Sequence, residues 1–172
     1  MLHVSRGGRY VRVADPEWVD PLSAQYARDH GGRWNAPGRF GVVYLNASVQ
    51  VARAQVLHHL EPRGIRPEDL EPDQGPVLVE TRVPEDDYVD AITDGGLAEL
   101  GLSATYPIDG RGCRVAHRVC RPIGQQAWDL GEPGIACRSA ARAPSSDGEE
   151  LAFFARRRLR VRSIARFSDW YW

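Results

Sequence analysis

Lysine is missing from this chain. All 22 basic side chains among its 172 residues are arginine. That excludes Schiff-base chemistry and a phosphate-binding loop built on a lysine. Arginine is left as the sole permanent cation for any phosphate or carboxylate, and its planar fork holds such groups bidentately. As a whole the composition reads first as a coding bias. Long apolar runs are also missing: none approaches the roughly 20 residues that a membrane span needs. The opening Met-Leu-His-Val-Ser-Arg lacks the basic flank and apolar stretch of a secretory signal, so the expected location is the cytoplasm. The three cysteines, Cys113, Cys120 and Cys137, are odd in number and lack Cys-x-x-Cys spacing. They read as buried free thiols in a reducing compartment, neither a disulfide framework nor a zinc site, and no metal is expected. A net charge of −1 gives no broad electrostatic field for nucleic acid, so no direct nucleic-acid binding is expected.

What is present fits one globular domain over 1–172, with 42% hydrophobic and 26% charged residues. Residues 9–13 alternate as a strand. Residues 14–30 are polar and irregular, and 31–38 form a turn-rich loop. Gly41 to Leu45 reads as a short buried strand. Asn46 or Ser48 caps a helix reaching Leu60, with Val49, Ala52, Val56 and Leu60 at helical spacing. Four prolines in 61–76 predict a loop or short turns. Val77 to Val83 is a strand, and 84–110 is acidic and glycine-dotted. A helix over 114–130 is expected to break or restart at Pro122. A strand over 134–139, a turn over 143–149 and strands over 151–154 and 159–164 complete a mixed α+β chain.

Four places could carry chemistry. In Gly31-Gly32-Arg33-Trp34-Asn35-Ala36-Pro37-Gly38, glycines let backbone approach a ligand while Arg33 supplies charge. The plainer alternative is a tight turn with Trp34 packed inward. Tyr44 could stack on a ring, or could be a core tyrosine with a wetted hydroxyl. Gln55 sits at the edge of the apolar helix face, where a glutamine is usually a boundary residue. The adjacent His58 and His59 point different ways and cannot pair on a metal. Ser139, behind Arg138 and ahead of Arg142, lacks the Gly-x-Ser-x-Gly setting of a hydrolase nucleophile.

Together these segments resemble the RES domain family, the toxin half of a class of bacterial toxin–antitoxin pairs, named for an arginine, a glutamate and a serine. The likeness rests on Tyr10-Val11-Arg12-Val13, on the specific Gly31-Gly32-Arg33-Trp34-Asn35 with Pro37-Gly38, on Val43-Tyr44-Leu45 with Ser48, and on Gly134-Ile135 through Arg138-Ser139-Ala140-Ala141-Arg142 to Phe153. Residues 61–110 carry little of it. The resemblance implies an α+β fold like that of ADP-ribosyltransferases of the diphtheria-toxin type, with a split mixed or antiparallel sheet and few helices. It implies NAD as substrate, nicotinamide as leaving group, and water, phosphate or protein as acceptor. It also implies a cognate Xre-like antitoxin as partner; a homodimer is a further expectation, and no membrane association is expected.

By the same resemblance Arg33, Tyr44, position 55 and Ser139 would be catalytic. Arg12, Gly32, Arg33, Trp34, Asn35, Tyr44, Ser139 and Arg142 would hold the dinucleotide. Arg33 would grip pyrophosphate or incoming phosphate, Tyr44 would pack on nicotinamide or its ribose, and Ser139 would orient the ligand without acting as nucleophile. One position departs from the pattern: Gln55 stands where the family has glutamate, and the nearest acid along the chain is Glu61. A carboxylate there would stabilise the positive charge that develops on ribose as the nicotinamide bond breaks. Gln55 keeps the shape and loses the charge. The chain then reads as a natural variant using another group, a binder that does not cleave, or an engineered attenuation. The basic run 156–162 reads as a solvated strand face. A terminal aromatic cluster such as Trp170-Tyr171-Trp172 is more often a core plug, but the expectation here is a contact for an acidic partner tail or a second copy, which truncation of 170–172 should weaken.

Overall fold

The computed structural model describes residues 1–71, 73–141 and 148–172. Arg142 and most of the turn expected over 143–149 lie outside these residues. In chain order the strands are β1 (His3–Ala14), β2 (Val42–Asn46), β3 (Val77–Ala91), β4 (Gly134–Arg138), β5 (Glu149–Phe154) and β6 (Val161–Ala165). The helices are α1 (Gln25–His30), α2 (Val49–Leu60), α3 (Asp94–Glu99), α4 (His117–Asp129) and α5 (Phe167–Trp170), with two 3₁₀ turns in the proline-rich 61–69 stretch. This is the α+β architecture anticipated, with one mixed sheet.

The strand order is β1-β2-β5-β4-β3-β6, and β1 also pairs with β3. That extra pairing closes five strands on themselves and leaves β6 added outside. Closure works because β1 and β3 are far longer than the short apolar runs that announced them. The sequence predicts strands over 9–13 and 77–83; both continue through polar, acidic residues, because each keeps a hydrogen-bonding neighbour there. His3 to Arg6 pair with Asp86 to Val89, after a register shift beside Gly8. Past that pairing, Val89 to Ala91 turn to a parallel neighbour, Ile135 to Cys137 of β4.

Side chains alternate across the sheet. On one face Trp34, Phe40, Val42, Val89, Ile135, Ala152 and Phe154 pack together with Cys120 and Ala127 of α4. On the other, Tyr10, Val43, Leu45, Val79, Leu151 and Phe153 meet Leu22 from the 15–24 loop. Helix α4 runs unbroken through Pro122, against the expected interruption. Its apolar face is held on the core by Cys120, Gly124 and Ala127, and that packing outweighs the one hydrogen bond a proline removes. Helix α2 begins as its sequence suggests, with the Ser48 side chain accepting from the Val51 amide.

Behind α2 lies a third cluster. Val11, Ala52, Val56 and Leu78 are covered by Phe167, Trp170 and Tyr171. The terminal aromatics therefore plug the core, although Trp172 stays 64% exposed. Arg53 fastens them, donating to the carbonyl of Trp170 and to an oxygen of Trp172. Cys113 is exposed, unlike the buried Cys120 and Cys137. Among the described residues no helix is long and apolar enough to cross a membrane. Trp170→Ala should cost about 3–5 kcal/mol, as buried tryptophans do, read as a lowered midpoint in urea denaturation. Arg53→Ala should reproduce part of that loss.

Candidate functional site

The glycine-rich loop is fixed to the sheet by one side chain. The Tyr44 hydroxyl accepts from the Trp34 amide at 2.9 Å and donates to Asn35 Oδ1 at 2.9 Å. Asn35 is fully buried, and its amide nitrogen donates to the carbonyls of Ala27 and Phe40. Gly32 is required here because a Cβ would fall 2.4 Å from the Tyr44 hydroxyl oxygen. Trp34 is fully buried and donates from Nε1 to Cys137 Sγ at 3.4 Å. Gly124 lets α4 rest directly on it, since a Cβ there would sit 1.7 Å from the Trp34 carbonyl oxygen. Trp34, Asn35 and Gly32 are thus the frame of the loop. Tyr44 spends its hydroxyl on that frame, and burial pushes the hydroxyl's pKa far up.

This frame holds out Arg33. Its guanidinium donates to the Val115 carbonyl at 3.0 Å. Burial opposes its charge, but Tyr106, Cys120, Cys137 and Glu150 around it favour the protonated form, and its pKa is raised. Around it lie other basic groups. Arg121 donates to the Gly32 carbonyl. Arg114 lies 2.7 Å from the His58 ring nitrogens. Burial and neighbouring cations depress the pKa of both His58 and His117.

Opposite Arg33 sits a carboxylate that the sequence reading did not single out. In the ladder Glu150 of β5 pairs with Asn46 of β2 on one side and with Cys137 of β4 on the other. It therefore faces the same side as Tyr44, Ala152 and Trp34. Ser139 Oγ donates to Glu150 Oε1 at 2.5 Å, and the Ala141 amide donates back to Ser139 Oγ. Burial raises the Glu150 pKa, against the Ser139 hydrogen bond, the Arg33 charge, an Ala140 backbone hydrogen bond and the His59 charge. Gln55 joins from α2, where its Oε1 accepts from Asn46 Nδ2 at 2.9 Å. The same Asn46 thus touches Gln55 and neighbours Glu150.

Of the residues named from sequence, Arg33, Tyr44, Gln55 and Ser139 are brought to this one face, with Gly32, Trp34 and Asn35 beneath them. Arg12 is not. It faces the other side of β1, buried, donating to the Ser23 carbonyl and lying over the Trp18 ring at 5.2 Å. Burial lowers its pKa to about 10. Arg12 pins the 15–24 loop. Arg138 also turns away, to the Ile92 and Ala104 carbonyls and Asp94. The clue to Glu150 was available in Glu149-Glu150-Leu151-Ala152: two adjacent acids opening an apolar strand must point to opposite faces. Glu149 does so, pairing with Arg6 and Tyr10 across the sheet.

Two surface hollows lie elsewhere, one beside Glu68, Phe167 and Trp172, the other beside Trp18, Val19 and Tyr26. Neither contains the converging buried polar groups of the Arg33–Glu150 region. No group of three His, Cys, Asp or Glu side chains among the described residues could hold a metal.

A mixed-sheet α+β protein with an arginine, a serine and a half-buried carboxylate gathered on one sheet face is the class that this fold and site define. A RES domain model matches residues 9–171, so the chain belongs to the RES domain family. Among solved structures it is similar to the Mycobacterium tuberculosis MbcT–MbcA toxin–antitoxin complex, at 22% identity and TM-score 0.78, over 98% of this chain and 91% of that one. No curated protein matches the chain.

The electrostatics give two expected outcomes. The folded chain holds the Glu150 proton to higher pH than the unfolded chain, whose carboxyl titrates near 4.5. The stability linked to this proton is full below pH 4.5 and is lost as pH rises through the folded pKa. Glu150→Gln should therefore melt higher than wild type at pH 7, with the gap closing towards pH 4 in calorimetric scans. Tyr106 is 1% exposed, and its hydroxyl has no hydrogen-bond partner among the described residues. Tyr106→Phe removes a desolvated group and should hold stability level or raise it by up to about 1 kcal/mol, measured by urea denaturation.

Proposed function

We propose that this RES-domain chain is the toxin of a toxin–antitoxin pair and cleaves the nicotinamide–ribose bond of NAD on the Arg33–Glu150 face. The observation that carries this reading is the Ser139–Glu150 hydrogen bond within reach of the Arg33 charge. It puts an anion beside a cation at a partly open surface, the pairing a dinucleotide needs. Arg33, with Arg121 and Arg114 on the rim, would take the pyrophosphate. As the C1′–N bond breaks, its electron pair leaves with nicotinamide, and positive charge grows on the ribose. Glu150, preorganised by Ser139, would stabilise that charge. The acceptor oxygen, from water or phosphate, would then supply the pair that closes C1′, and its proton would pass to Glu150 or to solvent.

In this scheme Gln55 no longer leaves the site without a carboxylate. With its Oε1 on Asn46, it serves as a neutral neighbour that steadies the strand beside Glu150. The M. tuberculosis complex similar in fold pairs a toxin with an antitoxin, which supports an antitoxin partner for this chain. A second reading follows from Gln55 itself: a domain that binds NAD and does not cleave it, because the family's glutamate is replaced.

Nicotinamide release from NAD, with and without phosphate, separates the two. Under the enzymatic reading the unaltered chain releases nicotinamide, and Glu150→Gln lowers the rate on the order of 10²–10³-fold with weaker effects on NAD affinity. Release only after Gln55→Glu would move the essential charge to position 55 and support the binding reading for the natural chain. NAD affinity by calorimetry should fall on Arg33→Ala under both readings. No heat with NAD and no release from either chain would sink both.

A further inference from the structure

Closure of the sheet leaves one strand different from the rest. β1, β2, β3, β4 and β5 each have hydrogen-bonded neighbours on both sides. β6 pairs with β3 alone, through Leu78↔Ala165, Val79↔Ile164, Glu80↔Ser163 and Thr81↔Val161. Among the described residues its outer edge pairs with no strand. Val161 to Ile164 are exposed, with Val161 at 40% and Ile164 at 55%. An edge of free amides and carbonyls with apolar side chains on show is a template for another strand.

The charges around that edge select what can pair. Arg157, Arg160 and Arg162 are exposed and, among the described residues, have no carboxylate within salt-bridge distance. Arg158 reaches Asp20 at 3.3 Å and Arg166 reaches Asp73 at 3.8 Å, both in open surroundings. The register slips by one residue between Ser163 and Val161, so Val161 opposite Thr81 and Ile164 opposite Val79 lie on one face, Ser163 and Ala165 lie on the other, and Arg162 stands at the irregularity. A second copy of β6 would bring one arginine-rich segment alongside another, and that like charge opposes self-pairing. Nucleic acid would answer the arginines, but not the free backbone groups or the exposed valine and isoleucine. A strand with alternating acidic and apolar residues answers all three.

We propose that the outer edge of β6 is a docking site for an extended acidic segment of a partner protein, which adds to the sheet as a further strand. Backbone pairing would give the register, Val161 and Ile164 the apolar contact, and Arg160 and Arg162 the charge selection. The inference does not rest on the NAD reading: β6 carries none of the residues on the Arg33–Glu150 face.

The test uses the full chain and a capped hexapeptide, Glu-Val-Glu-Val-Glu-Val, followed by backbone amide shifts and hydrogen exchange. The peptide should slow exchange within 161–165, more weakly at high salt. The charge-swapped variant Arg160→Glu/Arg162→Glu should bind it at least about tenfold less and should bind the Arg-Val-Arg-Val-Arg-Val peptide instead. Both side chains are exposed and unpaired, so the variant should fold and keep any nicotinamide release unchanged. Equal protection by Gln-Val-Gln-Val-Gln-Val would overturn the charge selection. Protection of β6 that rises with protein concentration alone would assign the edge to a second copy. Protection by a short DNA duplex and not by the peptide would assign it to nucleic acid. No protection by the acidic peptide would remove the site.

Discussion

The pairing of β1 with β3 is the constraint on which the rest of the molecule depends. Without it the sheet is an open ladder, β1-β2-β5-β4-β3-β6. With it, the ladder bends round until its first and fifth strands meet. The pairing of β2, β5 and β4 sets Asn46, Glu150 and Cys137 in one cross-strand row, and closure holds that row within the sheet. It also gives the sheet two packed faces, so alternating side chains along β5 are separated completely. Glu149 goes to Arg6 and Tyr10, while Glu150 goes to Ser139 and the field of Arg33.

The polar face is arranged in two layers. The lower one is neutral and fully paired: Tyr44, Asn35, the Trp34 amide and the carbonyls beneath them. Its hydrogen bonds hold a glycine-rich loop that would otherwise have many conformations. The upper layer is charged and under tension. Burial raises the Glu150 pKa, the groups around Arg33 favour its charge despite burial, and burial together with neighbouring cations lowers the His58 and His117 pKa values. Groups whose environments push them from their ordinary behaviour are stabilised by a ligand of complementary charge. Shifted groups gathered on one face set it apart from the surfaces that only pack.

Much of this could be read along the chain. The Ser48 cap, the helix to Leu60, the strands begun by Tyr10 and Val77, and the turn at Gly31 to Gly38 all follow from local spacing and local chemistry. Pro122 misled, because a local rule about prolines was outweighed by the packing of α4 on Trp34. The lengths of β1 and β3 were hidden for a similar reason: their polar halves are held by strand partners distant in sequence. Arg12 illustrates the limit for function. Its motif match is good, yet side-chain alternation along β1 sends it to the opposite face.

The sequence by itself determined the family, the arginine-only cation set, the loop that presents Arg33, and the loss of a carboxylate at position 55, because each is a property of residue types at short spacing. Tertiary structure alone decided that a carboxylate is present after all. Glu150 lies 95 residues beyond Gln55 in the chain, and no local pattern relates them. They are brought near one another because β5 pairs with β2 in a register that sets Glu150 opposite Asn46, and Asn46 holds Gln55. The same closure decided which strand kept an open edge. Twenty-two arginines are a compositional fact; that several of them flank the outer edge of β6 is a consequence of how the sheet closes.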